Sequence, residues 1–179
     1  MKKYLVLLLF GALTFTACDK DDTPTEPTLY ERLGGAQMVN DPANSGQQIE
    51  QGYLALRSVV DSAIFVIAAD TSLQPFFHTL LMEVGNGNLT GFTALSQNLT
   101  VFFAAATGSK NHTYTGLDMA AAHDPAQNSR MAMKADNADF DQFVTDVGVA
   151  LGQNGVSDTE LINDLVALLE TLRGDVVQQ

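Results

Sequence analysis

Apolar residues recur at three- and four-residue steps through most of this 179-residue chain, between breaks rich in glycine, asparagine and proline. That spacing is typical of amphipathic helices, and alternating β-branched runs are few. It predicts a short helix from Thr28 to Gly34, then helices over about 49–69, 90–106, 117–123, 140–152 and 158–177, with loops at 40–46, 85–88, 108–111 and 124–129. We therefore expect an all-α fold with extended loops.

Capping residues and apolar faces refine these helices. Thr28 is followed three residues later by Glu31, and Ser157 by Glu160, which is the spacing of a capping box. Asp139 is the expected cap of the helix over 140–152. The inward faces of helices 90–106 and 140–152 are expected to carry Phe92, Leu95, Leu99, Phe102 and Phe103, and Phe140, Phe143, Val144 and Val147, respectively.

The first 28 residues are set apart from the helical pattern. Lys2 and Lys3 precede a short apolar stretch that ends just before Cys18, the only cysteine, as in a secretory signal. Residues 16–18 resemble the lipobox of bacterial lipoproteins, in which the cysteine is acylated; the alternative is an ordinary cleavable signal. We expect a signal peptide over 1–17, an acidic tether over 18–28 and one domain over 29–179, anchored by an acyl chain at the cell envelope. The acidic run after Cys18 also resembles a signal for export to the outer-membrane surface.

Composition narrows the function classes. The chain has 9 basic and 21 acidic residues and a net charge of −12, without a basic cluster that could neutralise phosphates, so nucleic acid is not an expected partner. No uninterrupted apolar run approaches the roughly 18 residues of a membrane span, which predicts a soluble domain. A single cysteine excludes an internal disulfide.

The residues that could carry chemistry are the three histidines, because motifs for hydrolysis, phosphate transfer and calcium binding are missing. His78 and His112 stand in loops of the predicted pattern. His123 ends a short helix and shares a face with Met119, one turn earlier. An imidazole opposite an apolar helix stripe is how haem iron is held, although a histidine in that place is also compatible with a plain core residue.

The segment Leu29-Tyr30-Glu31-Arg32-Leu33-Gly34-Gly35 resembles the opening of the group I truncated haemoglobins. Phe76-Phe77, the run 102–108, and Tyr114-x-Gly116-x-x-Met119-x-x-x-His123 follow in that family's order. The resemblance extends in pieces over about 29–177. It implies a truncated globin-like helical sandwich that binds haem b, with His123 as the iron ligand.

The same resemblance implies which other residues line the haem. The expected contacts are Phe77, Leu95, Leu99, Phe103, Met119, Phe140 and Phe143. The tyrosine that donates to bound gas in many members falls on Ile64 or Phe65 here, and the distal glutamine on Leu99. His78 is either a substitute donor or exposed. Compared with the family, the chain has insertions around 40–51, 80–89 and 125–138. In the last insertion, Arg130 or Lys134 is either a partner for a haem propionate or solvated.

Three functions remain open at this stage. The first is a haem protein that binds a diatomic gas such as oxygen, nitric oxide or carbon monoxide. The second is a globin fold without the cofactor, serving as a binding or structural module. The third is haem capture or relay at the cell surface, which predicts ready transfer of haem to apomyoglobin. Enzymatic activity is left open, because the chain has no flavin or nicotinamide motif to supply electrons and the reductant is unknown.

Overall fold

The computed structural model describes residues 26–179. The predicted signal peptide, the acylation site at Cys18 and most of the tether therefore lie outside the described residues. Within them the elements are α1 (Leu29–Arg32), β1 (Met38–Asn40), β2 (Gln48–Glu50), α2 (Gln51–Ala69), a 3-10 helix (Gln74–Phe77), α3 (His78–Gly85), α4 (Thr90–Ala106), α5 (Met119–His123), α6 (Asn137–Gln153), α7 (Thr159–Glu170) and α8 (Arg173–Val176). The prediction of a mostly helical fold is confirmed.

The predicted start of α1 is confirmed in detail. The Thr28 hydroxyl accepts a hydrogen bond from the Glu31 amide at 3.2 Å, and the Glu31 carboxylate accepts one from the Thr28 amide at 2.8 Å. Gly34 and Gly35 both have positive φ, at 113° and 58°. Glycine adopts these angles without the steric cost that a side chain would bring, so the pair ends α1 as predicted.

Two other predicted caps are wrong by one to three residues. Helix α6 begins at Asn137 and is capped by Asp136, whose carboxylate accepts from the amides of Ala138 and Asp139. Asp139 instead completes the capping box by accepting from the Asp136 amide. Helix α7 is capped by Asp158 and not by Ser157, and the predicted helix to Val177 is interrupted after Glu170. In both cases an acidic side chain stands closer to the first free amides than the predicted cap.

A β-hairpin occupies the first insertion, where only a loop was expected. Strands β1 and β2 pair antiparallel with Val39 opposite Ile49. The buried Asp41 carboxylate accepts from the Ala43 amide at 2.9 Å and from the Arg57 guanidinium of α2 at 2.8 Å. Strands of three residues are too short to show a period of two in the sequence, so this element could not be predicted from periodicity.

Helix α2 is the centre of the domain and packs along both α4 and α6. Its buried side chains include Leu56, Val60, Ile64 and Ile67. It is also long and apolar enough to cross a membrane by composition alone, with a mean hydropathy of 1.5, although Arg57 and Asp61 interrupt its apolar sequence. A core helix meets the same criterion, and the packing of α2 between two helices accounts for its composition.

The deepest face of α4 is made of small side chains and not of the predicted aromatic stripe. Ser96, Thr100 and Ala104 are buried, at 8%, 0% and 0% exposure. The Thr100 hydroxyl donates to the Ser96 carbonyl at 2.7 Å, and the Ser96 hydroxyl donates to Asp61 of α2 at 2.5 Å. Small residues at this interface let α4 approach α2 closely, which leaves the larger apolar residues of α4 on a flanking, half-buried strip.

The opening segment around Tyr30 has a structural role. Tyr30 is buried, and its hydroxyl donates to the Glu50 carboxylate at 2.6 Å. Burial and this carboxylate hold the pKa of Tyr30 above its usual range. His112 stacks on Tyr53 at 4.5 Å, and a Cβ on Gly52 would come within 3.0 Å of the Tyr30 ring. These contacts join α1, α2 and the loop after α4.

Candidate functional site

His123 is the last residue of α5 and is half-buried. Its Nδ1 lies 2.9 Å from the Met119 carbonyl oxygen. Because a carbonyl only accepts, Nδ1 must carry the hydrogen, and in the neutral ring the lone pair is then on Nε2. Nε2 makes no hydrogen bond to any of residues 26–179. The backbone therefore fixes both the tautomer and the ring orientation that an imidazole needs in order to bind a metal through Nε2.

Contacts from other parts of the chain hold α5 in place. A helix of five residues is not stable on its own. The Ala120 carbonyl accepts from the Gln178 side chain at 2.8 Å, and the Ala122 carbonyl accepts from the Asn128 side chain at 2.7 Å. The Gln178 backbone is in turn fixed by its amide, which donates to the Ala135 carbonyl at 3.0 Å. The position of His123 thus depends on residues far along the sequence.

The segment before α5 is shaped by Tyr114. Its hydroxyl donates to the Leu117 carbonyl at 2.9 Å, and its ring meets Phe102 of α4 edge-on at 5.2 Å. A Cβ at position 116 would overlap the Tyr114 ring, so only glycine fits beneath it. Asp118 then caps α5 by accepting from the Ala121 amide at 2.9 Å. Tyr114 therefore connects the segment before α5 to α4, and Gly116 leaves room for its ring.

Helix α4 contributes the predicted contact residues Leu95, Leu99 and Phe103, all half-buried. They lie beside the buried strip that packs on α2. Phe103 packs against Tyr30, Leu56 and Ala104, so part of its ring is already covered by protein. Leu95 and Leu99 offer neither a hydrogen-bond donor nor a charge.

Phe77 and Phe143 contact the same buried cluster although 66 positions separate them in the sequence. Both are partly buried and pack against the cluster of Ile67, Leu73, Phe76 and Ala135. Phe140 is 2% exposed, with its ring 5.8 Å from Phe143 and the Arg173 guanidinium 4.3 Å above it. The surroundings of Phe140 are thus complete without a cofactor, while Phe77 and Phe143 keep exposed surface.

The two candidate positions for a distal donor differ in exposure. Ile64 is 8% exposed on the inner face of α2, whereas Phe65 is 65% exposed and lies 5.3 Å from Phe92. Position 64 therefore faces the interior, and its side chain has no donor. His78 is exposed at the start of α3. Its exposure matches the solvated alternative, although it begins a helix where a loop was expected.

Arg130, one of the two charged residues considered as propionate partners, has another partner. Its guanidinium forms two hydrogen bonds with the Glu83 carboxylate of α3, at 3.0 and 2.5 Å. The Lys134 side chain is exposed, and the hydrogen bond from the Gln179 side chain is to the Lys134 backbone carbonyl. Sequence reasoning missed Glu83 as the partner of Arg130, because no local pattern links α3 to a loop 47 residues later. It also missed Met131, the residue after Arg130.

The donor set suits haem better than a bare metal ion. Within residues 26–179 no group of three His, Cys, Asp or Glu side chains comes together to hold an ion. Haem iron needs only one axial bond from the protein, and a porphyrin needs apolar walls. His123 has the oriented Nε2 that one bond to iron needs, and Leu95, Leu99, Phe77 and Phe143 are half-buried apolar side chains of the kind that a porphyrin wall needs.

Comparison with solved structures identifies the fold. Two variants of the truncated hemoglobin from Tetrahymena pyriformis, both in the Fe(III) form, match with TM-scores of 0.59 and 0.60 and 24% identity. Each match covers 86% of this chain and 100% of the other. The domain has a truncated-globin fold. The 2/2 hemoglobin from a Synechococcus species, in the cyanomet state with covalently attached heme, matches with a TM-score of 0.60, 22% identity and the same coverages. No protein-family profile and no curated sequence matches the chain.

Proposed function

We propose that this protein binds haem b through His123 and takes up a diatomic gas on the iron. The observation that carries the proposal is the hydrogen bond between His123 Nδ1 and the Met119 carbonyl, which leaves Nε2 free to bind a metal. The truncated-globin fold supports it, since the hemoglobins that share this fold are haem proteins by name. Haem would supply the iron centre at which the gas binds.

Each element of the site has a distinct task in this proposal. His123 would hold the iron through Nε2, and Gln178 and Asn128 hold α5, which carries His123, in place. Leu95, Leu99, Met119, Phe77 and Phe143 would contact the porphyrin, the last three at its edge, and exclude water from it. Phe103 and Phe140 support these walls from behind, because protein already covers much of their surface.

The apolar distal side determines which gas would be held well. Ile64, Leu95 and Leu99 cannot donate a hydrogen bond to a bound gas. Oxygen gains the most from such a donor, worth roughly 1 to 3 kcal/mol, whereas carbon monoxide and nitric oxide depend on it less. We therefore expect oxygen to dissociate quickly and the other two gases to bind normally.

Absorption spectroscopy of the purified chain mixed with hemin tests the proposal. We expect an intense Soret band in the wild type, its loss in His123→Gly, and its partial return when imidazole is added. His112→Ala and His78→Ala are matched controls, because both change a histidine away from α5 and should keep the spectrum. A wild type without a Soret band would support the haem-free module, and equal haem content in wild type and His123→Gly would exclude His123 as the ligand.

We further propose that the domain is lipid-anchored at the bacterial cell envelope. The support is in the sequence alone: Lys2 and Lys3, the apolar stretch after them, and Cys18 directly after two small residues. The lipid bilayer would then be a partner through the acyl chain and not through the domain.

A further inference from the structure

The segment between α5 and α6, residues 124–136, is an ordered part of the fold. The Asp124 carboxylate accepts from the Ala126 amide at 3.0 Å, and the Met131 amide donates to the Asn128 carbonyl at 3.0 Å. Ala135 is 8% exposed and forms a parallel bridge with Val177. The segment is therefore fixed at both ends, next to the helix that carries His123.

An ion pair attaches the middle of this segment to helix α3. Arg130 binds both oxygens of Glu83 on α3, with side-chain exposures of 48% and 25%. The pair crosses the first turn of α4 at Gly91, where a Cβ atom would overlap both charged groups. The absence of a side chain at position 91 thus makes room for the contact.

The residue after Arg130 points the other way, into the core. Met131 is partly buried and packs against Ile67, Leu73, Phe76 and Ala135. Phe77 and Phe143 pack against the same cluster, and both are proposed to meet the porphyrin edge. A flexible, polarizable methionine suits an irregular gap beside aromatic rings.

We propose that residues 124–136 form an additional wall of the haem pocket, in which Met131 contacts the cofactor edge and the Arg130–Glu83 pair holds the wall closed. The inference rests on the proposed haem binding. Arg130 acts as a positioning residue. Its pair with Glu83 ties the segment that follows His123 to α3 and lies against Gly91 at the start of α4, the helix that carries Leu95 and Leu99. Haem release then requires this ion pair to open.

The expected effect is modest, because the pair is partly exposed. Such pairs contribute up to about 1 kcal/mol, so breaking this one should speed haem transfer to apomyoglobin about two- to fivefold. Salt weakens exposed pairs, and the wild-type rate should rise between low and high ionic strength. Arg130→Gln and Glu83→Gln should remove most of that salt dependence, and the exchange Glu83→Arg with Arg130→Glu should restore it.

Further variants test the contribution of the Arg130–Glu83 pair and that of Met131 separately. Met131→Ala should speed haem loss, whereas Met133→Ala, an exposed methionine two residues on, is the matched control. Gly91→Ala should speed haem loss without changing any charge, although alanine favours a helix by about 1 kcal/mol. Arg32→Gln breaks the pair with Asp164 between α1 and α7 and should leave the haem rate unchanged.

Trypsin cleavage after Lys134 in the haem-free chain provides a second readout. Opening of the wall in Glu83→Gln, which keeps both Arg130 and Lys134 as trypsin sites, should accelerate this cleavage, while circular dichroism verifies that the domain remains folded. If the wild type binds haem but haem transfer is no faster in Arg130→Gln, Gly91→Ala and Met131→Ala, the proposed wall is overturned and the proposed haem binding stands. A wild type that takes up no haem would overturn the proposed function itself.

Discussion

Asp146 is the residue whose replacement should stabilise the domain at neutral pH. It lies on α6 and is 4% exposed. Its Oδ1 accepts from the Gln142 side chain at 3.1 Å, and its Oδ2 is buried without a partner among residues 26–179. Gln142 also donates to Asp70 at 2.6 Å, so a single amide serves two carboxylates. Burial and the charge of Asp70 raise the pKa of Asp146 above its usual range, against the lowering effect of Gln142.

The direction of the pH effect follows from that raised pKa. A carboxyl group whose folded-state pKa exceeds its unfolded value near 3.9 contributes its stability fully below that pH and loses it as the pH rises through the folded value. Above that folded value the carboxylate carries the cost of an unpaired buried oxygen, about 1 to 3 kcal/mol. Asp146→Asn removes the charge at nearly constant volume and should recover much of this cost. For a domain of this size that corresponds to a rise in Tm of about 2 to 4 °C per kcal/mol.

Urea unfolding at pH 7 and at about pH 3.5, followed by circular dichroism, measures the effect. Asp146→Asn should exceed the wild type in free energy of unfolding at pH 7, and the difference should shrink at the acid pH. Asp175→Asn, an exposed carboxylate on α8, controls for the general gain from removing one negative charge from a chain of net charge −12. Equal gains in the two variants, or a gain for Asp146→Asn that persists at acid pH, would refute this reasoning.

Three further predictions concern the haem site and the anchor. Ile64→Tyr should slow oxygen dissociation about five- to 150-fold by adding a donor worth about 1 to 3 kcal/mol, while Phe65→Tyr on the exposed face should leave the rate unchanged. If flash photolysis gives the same oxygen off-rate for Ile64→Tyr and the wild type, position 64 does not face the gas. Gln178→Ala should weaken haem binding and change the iron–histidine stretching frequency, because the Ala120 carbonyl loses its partner, and an unchanged frequency would count against a positioning role. Cys18→Ser should move the protein out of the membrane fraction, and unchanged partition would rule out acylation there.

The long helices could be predicted because each bears its own periodic signal. Helices α2 and α4 occupy the predicted ranges almost residue for residue, since their apolar spacing continues for four or five turns between clear breaks. The side that faces inward was harder to predict. Hydrophobicity favoured the aromatic strip of α4 as the inner face, but the residues that pack on α2 are Ser96, Thr100 and Ala104. The Thr100 hydroxyl donates within the helix, and the Ser96 hydroxyl donates to Asp61.

Caps failed where several candidates lie side by side. Around the start of α6, Asp136 and Asp139 both qualify, and at the start of α7 both Ser157 and Asp158 do. A capping preference of about 1 kcal/mol cannot rank such neighbours from sequence alone. The buried Asp146 was missed for a related reason, because an acidic residue in a helical pattern is ordinarily assigned to the solvent face.

The candidate site also depends partly on local sequence and partly on contacts between residues far apart in the chain. His123 could be selected because it shares a helix face with Met119 and because the segment before it resembles the corresponding segment of the truncated haemoglobins. The proposed haem ligation also depends on what holds the five-residue α5 in place, namely Asn128, five positions on, and Gln178, 55 positions on. No periodicity connects these residues to His123. The segment that supplies Asn128 also supplies Arg130 and Met131, so the insertion that weakens the family resemblance is the part of the chain that secures its histidine.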